Sequence, residues 1–504
     1  MQQIQVGRQC GENDFYIQGT GMSTLKEKTA KGLGWGFVDN FLGAGITAVV
    51  SIILARIVSP EEFGLIGMIA IFTALGNTLM DSGFSGALIR KQEVTDKDLS
   101  TVFYTNLIIG AIIYAILHLS APLIASYLNE EILTPLVRVM GFSVIILSFT
   151  QVQKVNFIRK IDFRTQAMIS LAASLSSGVI SIWMALDGWG VWSLAAQQLS
   201  KQGVTSILLW VFSKWKPSFT FSFSSFREMF SFGSRLLACS IISVIWNEIY
   251  SFAIGKLYNP LSVGYFARAE KFKSMVTSNI GQVVQRVGYP VMSTIQDDPV
   301  RQVRVYRKIT RLTILLTGTL VMGLLGCADA MIEVLIGTKW LPAGEYLRIL
   351  GLSGIFLPLI LGSVNVFNAN GKSSVTLKLE IIKTLLAAIP VTLGIIFNIK
   401  VMLWGMVGVS VVSYLVHAAF VSKEIPYTVW MQVKDIAPYI MIASFMGIIV
   451  YYVGNLVEWS ALPVLALQLA TGFAITVASY ELVYKSEEYR DVRDQALKIL
   501  KIKR

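Results

Sequence analysis

The chain has 504 residues, of which 54% are hydrophobic and 15% are charged, and its formal net charge is +12. An ordinary soluble domain has roughly 25% charged residues, so this composition excludes a soluble globular protein and predicts a membrane protein. The three cysteines, Cys10, Cys239 and Cys327, are scattered along the chain, and no disulfide framework is predicted.

The first 22 residues are polar and irregular, and we expect them to be disordered. They lack the basic and apolar regions of a secretory signal peptide. Met22 opens a basic amphipathic stretch that leads into the first apolar window, so translation from Met22 is a hypothesis alongside translation from Met1. N-terminal sequencing that detects residues upstream of Met22 would exclude it.

Apolar windows near the ~20 residues that span a bilayer follow one another along the chain, separated by Pro, Gly, Asn and charged clusters. We place fourteen spans, at 36–58, 63–85, 101–122, 133–153, 166–186, 190–213, 229–257, 263–289, 309–328, 345–367, 375–397, 402–422, 436–456 and 461–483. The predicted fold class is therefore an all-α polytopic membrane protein with about fourteen transmembrane helices.

The basic residues fix a predicted orientation. Most Lys and Arg outside the spans fall in the alternate loops that share a side with the two termini, whereas the opposite loops hold only Lys339 and Lys400. Because cytoplasmic loops carry the excess of Lys and Arg, both termini are predicted to be cytoplasmic.

An internal repeat divides the spans. The repeat pairs Leu54, Arg56, Pro60 and Gly64 with Ile254, Lys256, Pro260 and Gly264, 200 residues later. It predicts two six-helix bundles in a pseudo-twofold repeat plus two C-terminal helices, an arrangement typical of transporters with a binding site at the membrane midplane. The predicted segments are 1–22, 23–213, a basic aromatic interfacial connector at 214–228, 229–422, the two additional helices within 423–483, and a basic cytoplasmic tail at 484–504.

Charged residues inside the spans are the candidate functional residues, because each costs roughly 2.5–3.5 kcal/mol at a bilayer centre and so indicates a polar, protein-lined cavity. The predicted substrate-binding cations are Arg268, Lys271, Lys273 and Arg235. The alternative for each is a structural ion pair or a side chain that extends to the membrane interface. That second role is the expectation for Arg56 and Lys256, at the ends of their spans.

The predicted coupling or gating residues are acidic: Glu248, Asp39, Glu270 and Asp81. Glu248 has no cation at helical spacing, and burial would favour its protonated form; a hydrogen bond to a neighbouring helix is the alternative. Glu270 with Lys273, and Glu380 with Lys383, are three residues apart and are also interpreted as ion pairs.

Catalytic and cofactor motifs are missing from the sequence. His118 and His417 each stand alone on an apolar helix, which argues against a metal site. There is no phosphate-binding loop or dinucleotide fingerprint, so no cofactor, no nucleic-acid partner and no enzymatic activity are predicted.

Five stretches carry a family resemblance: KGLGWGFVDNF, LARIVSPEEFGLIGM, DSGFSGALIRK, LYNPLSVGYFARAEKF and VGYPVMSTIQDD. From about Met22 to the C-terminus the chain resembles Wzx-type polysaccharide flippases of the polysaccharide transporter family, whose superfamily also contains multidrug extruders and peptidoglycan-precursor flippases. The resemblance implies translocation of undecaprenyl-diphosphate-linked oligosaccharides across a bacterial inner membrane by alternating access, for capsule, exopolysaccharide or O-antigen assembly. Membrane lipids, a polysaccharide polymerase and other biosynthetic enzymes are the implied partners.

Three alternatives stay open. A multidrug extruder of the same superfamily would share the twelve-helix core, although the surplus of cations in the eighth span would repel cationic drugs. A polysaccharide polymerase or ligase would need a longer outer loop for its catalytic residues than this sequence offers. A non-transporting assembly scaffold would use the intramembrane charges for structure only.

Overall fold

The computed structural model describes residues 42–81 and 83–501, with the side chains of Ala44, Arg235, Ile499, Leu500 and Lys501 outside the description. Over these residues the secondary structure is helical, without strands. Helices α1 to α10 are Ala44–Ile57, Pro60–Asp81, Phe84–Arg90, Asp96–Leu128, Leu133–Arg159, Phe163–Leu186, Val191–Phe212, Phe223–Leu257, Pro260–Ser293 and Pro299–Gly326. Helices α11 to α19 are Ala328–Ile336, Pro342–Gly354, Phe356–Ala369, Ser373–Leu386, Ala388–Ile396, Ile399–Glu424, Val429–Asn455, Ala461–Ala478 and Glu487–Lys501, and a 3₁₀ turn covers Thr338–Trp340.

Each predicted span from residue 63 onwards coincides with a helical segment, and the first is helical over the described residues 44–57. Within the described chain, eleven helical segments are long and apolar enough to cross a membrane. The described part of α1 is short, while α7 and α9 carry too many polar or charged residues to reach that hydropathy. The predicted class, an α-helical multi-pass membrane protein, is confirmed.

Several helix ends differ from the prediction because local capping extends a helix into a polar stretch. Helix α10 begins at Pro299 and not near residue 309, since the Asp298 side chain accepts a hydrogen bond from the Arg301 backbone N–H at 2.9 Å and Pro299 fills the first turn. Helix α8 likewise starts at Phe223, inside the predicted connector. The predicted span 345–367 is two helices that meet at Ile355.

The described residues cluster into two compact units. The first contains the chain up to Leu54, Phe72–Leu123 and Thr134–Ile241. Its core includes Phe84, Leu88, Phe103 and Val152, and aromatic residues of α7, α8 and the connector pack against them. In this unit, the connector is held by Ser218 and Ser222, whose backbone N–H groups donate to Ser100 and Thr101 of α4.

The second unit contains Ala55–Ile71, Ile124–Leu133 and everything from Ile242 onwards. Helix α9 packs along α12 and α13, α16 packs against α12, α13 and α15, and α10 packs along α17. One core of this unit gathers Met292, Tyr306, Phe367, Val421 and Tyr427. These two units are defined by contacts and do not test the predicted division into two six-helix bundles and two further helices, which rests on the sequence repeat. That division stays a prediction.

Candidate functional site

A polar cavity of about 200 Å³ lies inside the second unit. Its walls come from α8, α9, α12 with α13, α14 and α16. They are lined by Trp246, Asn247, Tyr250, Phe266, Glu270, Lys273, Ser274, Thr277, Ser353, Gly354, Leu357, Ile360, Lys383, Met406 and Ser410. We call this space the intramembrane cavity.

Two lysine–glutamate pairs belong to the intramembrane cavity. Lys273 Nζ lies 2.6 Å from Glu270 Oε2, and Lys383 Nζ lies 2.5 Å from Glu380 Oε2. Both pairs have the three-residue spacing from which the sequence predicts an ion pair. Only 13% of the Lys273 side chain and 16% of the Lys383 side chain are exposed, so each ammonium is more enclosed than its 39%-exposed partner.

Neighbouring groups position the two ammonium groups. Lys273 Nζ is 3.4 Å from Ser353 Oγ of α12, and Lys383 Nζ lies 5.0 Å above the ring of Trp246 of α8. A cation over a tryptophan face is stabilised by about 0.5–2 kcal/mol. The cavity therefore holds two cations from different helices, each in contact with a neutral partner as well as its carboxylate.

The cavity lies deep in the helices. At about 1.5 Å per residue, Glu270 and Lys273 are about 15–20 Å from the start of α9, and Lys383 is about 20 Å from the end of α15. Four charged side chains at that depth fit a membrane protein only where protein surrounds them and they pair with one another. The site can offer ammonium donors and carboxylate, hydroxyl and amide groups beside an aromatic face.

At one end of the second unit, helices α2 and α9 begin at Pro60 and Pro260, and we call this the proline end. Gly64 and Gly264 make these two starts fit: a Cβ on Gly64 would lie 1.7 Å from the Pro260 carbonyl oxygen, and one on Gly264 would lie 1.9 Å from the Pro60 carbonyl oxygen. Residues that the 200-residue repeat relates are therefore in mutual contact.

Arg268 lies in this proline end and does not line the intramembrane cavity. It is 7% exposed, and its guanidinium carbon is 3.9 Å from the centre of the Phe63 ring and 5.2 Å from that of Trp340. Trp340 Nε1 donates in turn to the Ala55 carbonyl at 2.8 Å. Arg268 thus ties α9 to the start of α2 and to the turn after α11.

Basic side chains donate hydrogen bonds to carbonyl groups at helix ends near the proline end. Lys339 Nζ donates to the carbonyls of Arg56 and Val58 at 3.0 and 2.7 Å, and burial lowers its pKa despite the nearby Glu62 carboxylate. Arg56 donates to the last-turn carbonyls of α11, and Lys256 donates to Tyr127 O in the last turn of α4. Both side chains therefore cap the negative ends of other helices, and the expectation that they also extend to the membrane interface stays a prediction.

The remaining predicted site residues are dispersed. Lys271 is exposed on α9, and Glu248 is half-buried on α8. The Asp81 carboxylate accepts a hydrogen bond from Ser85 Oγ in the first unit. Asp39 lies outside the described residues, as does the side chain of Arg235.

Sequence reasoning missed Trp246 and Lys383 as cavity residues. Lys383 carried a usable signal, because Glu380–Lys383 repeats the spacing of Glu270–Lys273 at similar depth in another span. Trp246 carried none, since an aromatic residue in an apolar helix is ordinary. The contacts of Lys339 and Trp340 at the proline end were not predicted either, because both residues lie in a short loop without a recognisable motif.

The sequence matches a known protein family. The family model described as polysaccharide biosynthesis protein matches residues 53–345. The teichuronic acid biosynthesis protein TuaB of Bacillus subtilis is 24% identical over 469 residues, which cover 92% of this chain and 95% of TuaB. The succinoglycan biosynthesis transport protein ExoT of Rhizobium meliloti is 26% identical over 337 residues, 66% of this chain and 68% of ExoT.

Among solved structures, the lipid II flippase MurJ in an inward closed conformation superposes with a TM-score of 0.70 at 14% sequence identity, covering 89% of this chain and 99% of MurJ. That likeness establishes the fold, which is an all-helical polytopic architecture. The match of the family model extends over more than half of the sequence, including the proline end and α9, and the chain therefore belongs to the polysaccharide biosynthesis protein family.

Proposed function

We propose that this chain is a flippase that moves undecaprenyl-diphosphate-linked oligosaccharide units across the bacterial inner membrane by alternating access, and that it is not an enzyme. The observation that carries the proposal is the intramembrane cavity, with its two lysines and its tryptophan deep within membrane helices. The family, the transport protein ExoT among the relatives and the flippase fold of MurJ support it. The family also favours a glycan substrate over the organic cations of a multidrug extruder.

The chemistry of the cavity fits the head of such a lipid. A diphosphate offers anionic oxygens that can replace the Glu270 and Glu380 carboxylates on Lys273 and Lys383, so binding exchanges one ion pair for another. The tryptophan ring offers an apolar face to a sugar ring, and Asn247 and Ser410 offer hydrogen bonds to hydroxyl groups. Because both lysines are paired before substrate binds, the empty carrier avoids isolated charges in the membrane.

The other predicted residues receive proposed roles by their position. Arg268 stabilises the closed proline end, which has to open in one phase of alternating access. Lys271, Glu248, Asp81, Asp39 and Arg235 remain candidates for contacts with substrate or for gating. A polysaccharide polymerase and other biosynthetic enzymes remain the proposed partners.

We further propose that the proline end faces the outside and that the basic loops and both termini face the cytoplasm. The distribution of Lys and Arg supports this orientation. A cysteine substituted for Lys400 should react in intact cells with a membrane-impermeant thiol reagent, whereas one substituted for Lys485 should react only after the cells are permeabilised; the reverse pattern refutes the orientation.

The function is tested by replacing both cavity lysines. In a host that lacks its own flippase and depends on this chain for surface polysaccharide, Lys273→Ala with Lys383→Ala should lower polymer by about tenfold or more, since transition-state contacts worth about 1.4 kcal/mol correspond to a factor of ten. The matched control is Lys378→Ala, which removes an exposed lysine from the same helix as Lys383 without touching the cavity.

Both proteins are quantified in the membrane fraction, so that a folding defect is separated from a transport defect. Normal polymer in the double variant refutes the role of the cavity. Equal loss in the Lys378→Ala control refutes its specificity.

A further inference from the structure

A second polar cavity, of about 220 Å³, lies at the proline end of the second unit. It is bounded by the start of α11, the end of α17, the loop 456–460 and the start of α18. Its lining includes Asp329, Glu333, Tyr451, Asn455, Trp459 and Gln468. It shares no lining residue with the intramembrane cavity. We call it the α17–α18 pocket.

Hydrogen-bond acceptors dominate one wall of the α17–α18 pocket. Gln468 is 4% exposed, and its Nε2 donates both to the Gly326 carbonyl at 3.2 Å and to the Val450 carbonyl at 3.1 Å. These two bonds use the amide N–H groups and leave Oε1 without a partner in the described part of the chain. A buried acceptor without a donor is unfavourable, and a hydroxyl group bound directly or through one water would satisfy it.

Gly454 is required for this arrangement. A Cβ at that position would lie 2.0 Å from Gln468 Nε2. The absence of a side chain at Gly454 therefore leaves room for the Gln468 amide between α17 and α18, where it forms part of the pocket wall.

The carboxylates add acceptors without making the pocket a cation site. Arg348 Nη1 donates to Asp329 Oδ2 at 2.6 Å, so this carboxylate is already neutralised. Among the residues that the structure describes, Glu333 forms no ion pair, and no group of three or more metal-ligating side chains occurs in that part of the chain. A ligand that donates several hydrogen bonds without net charge suits such a wall better than a metal ion or an ammonium group.

Two aromatic rings complete the pocket. Tyr451 is held by the Arg348 guanidinium, 5.6 Å from its ring centre, and Trp459 is 61% exposed in the loop between α17 and α18. An exposed tryptophan beside the buried Gln468 amide oxygen and the partly exposed carboxylates of Asp329 and Glu333 gives a ring-shaped polyol an apolar face to stack on and acceptors for its hydroxyl groups.

We propose that the α17–α18 pocket binds a neutral sugar residue of a glycan at the proline end of the protein. Helices α17 and α18, which form part of its wall together with α11, lie outside the predicted 200-residue repeat, so the pocket gives them a role beyond the predicted twelve-helix core. The proposal goes beyond the translocation step, because it concerns a binding site with no residue in the intramembrane cavity.

The test is saturation-transfer NMR on the full chain in lipid nanodiscs, which expose both faces of the membrane. The probes are maltose, lactose and diacetylchitobiose at millimolar concentration. The wild-type protein should transfer saturation to the ring protons of at least one sugar. Trp459→Ala and Glu333→Gln should each weaken the apparent affinity about tenfold, the effect of losing one stacking or hydrogen-bonding partner.

Two controls make the outcome specific. Trp430 at the start of α17 is 64% exposed and does not line the pocket. The variant Trp430→Ala should therefore keep the signal. Lys273→Ala alters the intramembrane cavity and should also keep it, so failure of the proposed flippase site leaves this result unchanged. The proposal is overturned if no probe sugar receives saturation, if Trp459→Ala and Glu333→Gln bind like the wild type, or if only Lys273→Ala removes the signal.

Discussion

Single glycines decide whether the proline end can close. The contact between Gly64 and Pro260 involves a backbone oxygen, which cannot rotate away as a flexible side chain would. The same holds for Gly264 and Pro60. Any side chain at either glycine forces the starts of α2 and α9 apart, because packed helix backbones have no spare volume.

We predict that Gly264→Ala destabilises the purified protein by about 1–3 kcal/mol, the usual cost of overpacking a close contact. Thermal unfolding in detergent should show a lower midpoint. Gly408→Ala is the matched control, because its Cβ would meet no atom within 4 Å in the middle of α16. It should be neutral or stabilising by up to about 1 kcal/mol. Equal midpoints for the two variants would show that the glycine contact is not tight.

The sequence predicted the ion pairs and a polar cavity, but not which helices form that cavity. Three-residue spacing on a helix is enough to place Lys273 beside Glu270 and Lys383 beside Glu380. Which helices then face one another depends on long-range packing of α9 with α12 and α13, for which periodicity has no signal. For the same reason Arg268 was assigned to the cavity as a candidate, while its aromatic neighbours Phe63 and Trp340 lie far away in sequence.

Helix α19 shows how an element can differ from its sequence interpretation. The segment 484–504 was predicted as a basic cytoplasmic tail, and the first turn of its helix is attached to the membrane helices. Glu488 is 7% exposed, accepts a hydrogen bond from Tyr439 Oη at 2.7 Å, and lies 3.4 Å from Arg311 Nη1. Lys308 and Asp491 add an ion pair at 2.7 Å. The basic composition of the tail did not predict these partners on α10 and α17.

The attachment of α19 should depend on pH. Burial alone would raise the pKa of the Glu488 carboxyl, but the hydrogen bond from Tyr439 and the Arg311 charge hold it below its usual value of 4.5. The docked helix therefore binds the carboxyl proton less readily than the free helix does. Its contribution is complete above about pH 4.5 and is lost as the pH falls through the lowered pKa.

We predict that limited proteolysis cuts near α19 slowly at neutral pH and faster once the pH falls below about 4.5. Glu488→Gln should allow fast cleavage already at neutral pH and remove most of the pH dependence, because the charge that holds Arg311 is gone. An acid-tolerant protease avoids a confounding loss of protease activity. The neighbouring Glu487→Gln, at an exposed position, should behave like the wild type. Slow cleavage of Glu488→Gln at neutral pH would contradict the attachment.

At the scale of the whole chain, the two copies of the repeated Pro–Gly motif contact each other, whereas the charges inside the helices are not repeated. Pro60 and Gly64 contact Pro260 and Gly264 as a related pair. Lys273 and Lys383 have Thr73 and Trp183 as their counterparts 200 residues earlier. The helical membrane class and the family were predictable, because apolar length and recurring motifs are local features of the sequence. The count of fourteen spans and the division into two six-helix bundles stay predictions, and eleven membrane-length helices occur in the described part of the chain. The charge-balanced character of the cavity was not predictable, because it depends on partners from four different helices.

The most direct measurement is the translocation of a fluorescent undecaprenyl-diphosphate-linked oligosaccharide in proteoliposomes that contain only the purified chain. The proposed function predicts protein-dependent loss of the lipid-linked sugar from the inner leaflet, slowed about tenfold or more by Lys273→Ala with Lys383→Ala and unchanged by Lys378→Ala. Translocation no faster than in protein-free liposomes, by a preparation whose thermal unfolding shows it to be folded, would contradict the proposed function. Equal rates for the wild type and the double variant would contradict the cavity as the substrate site.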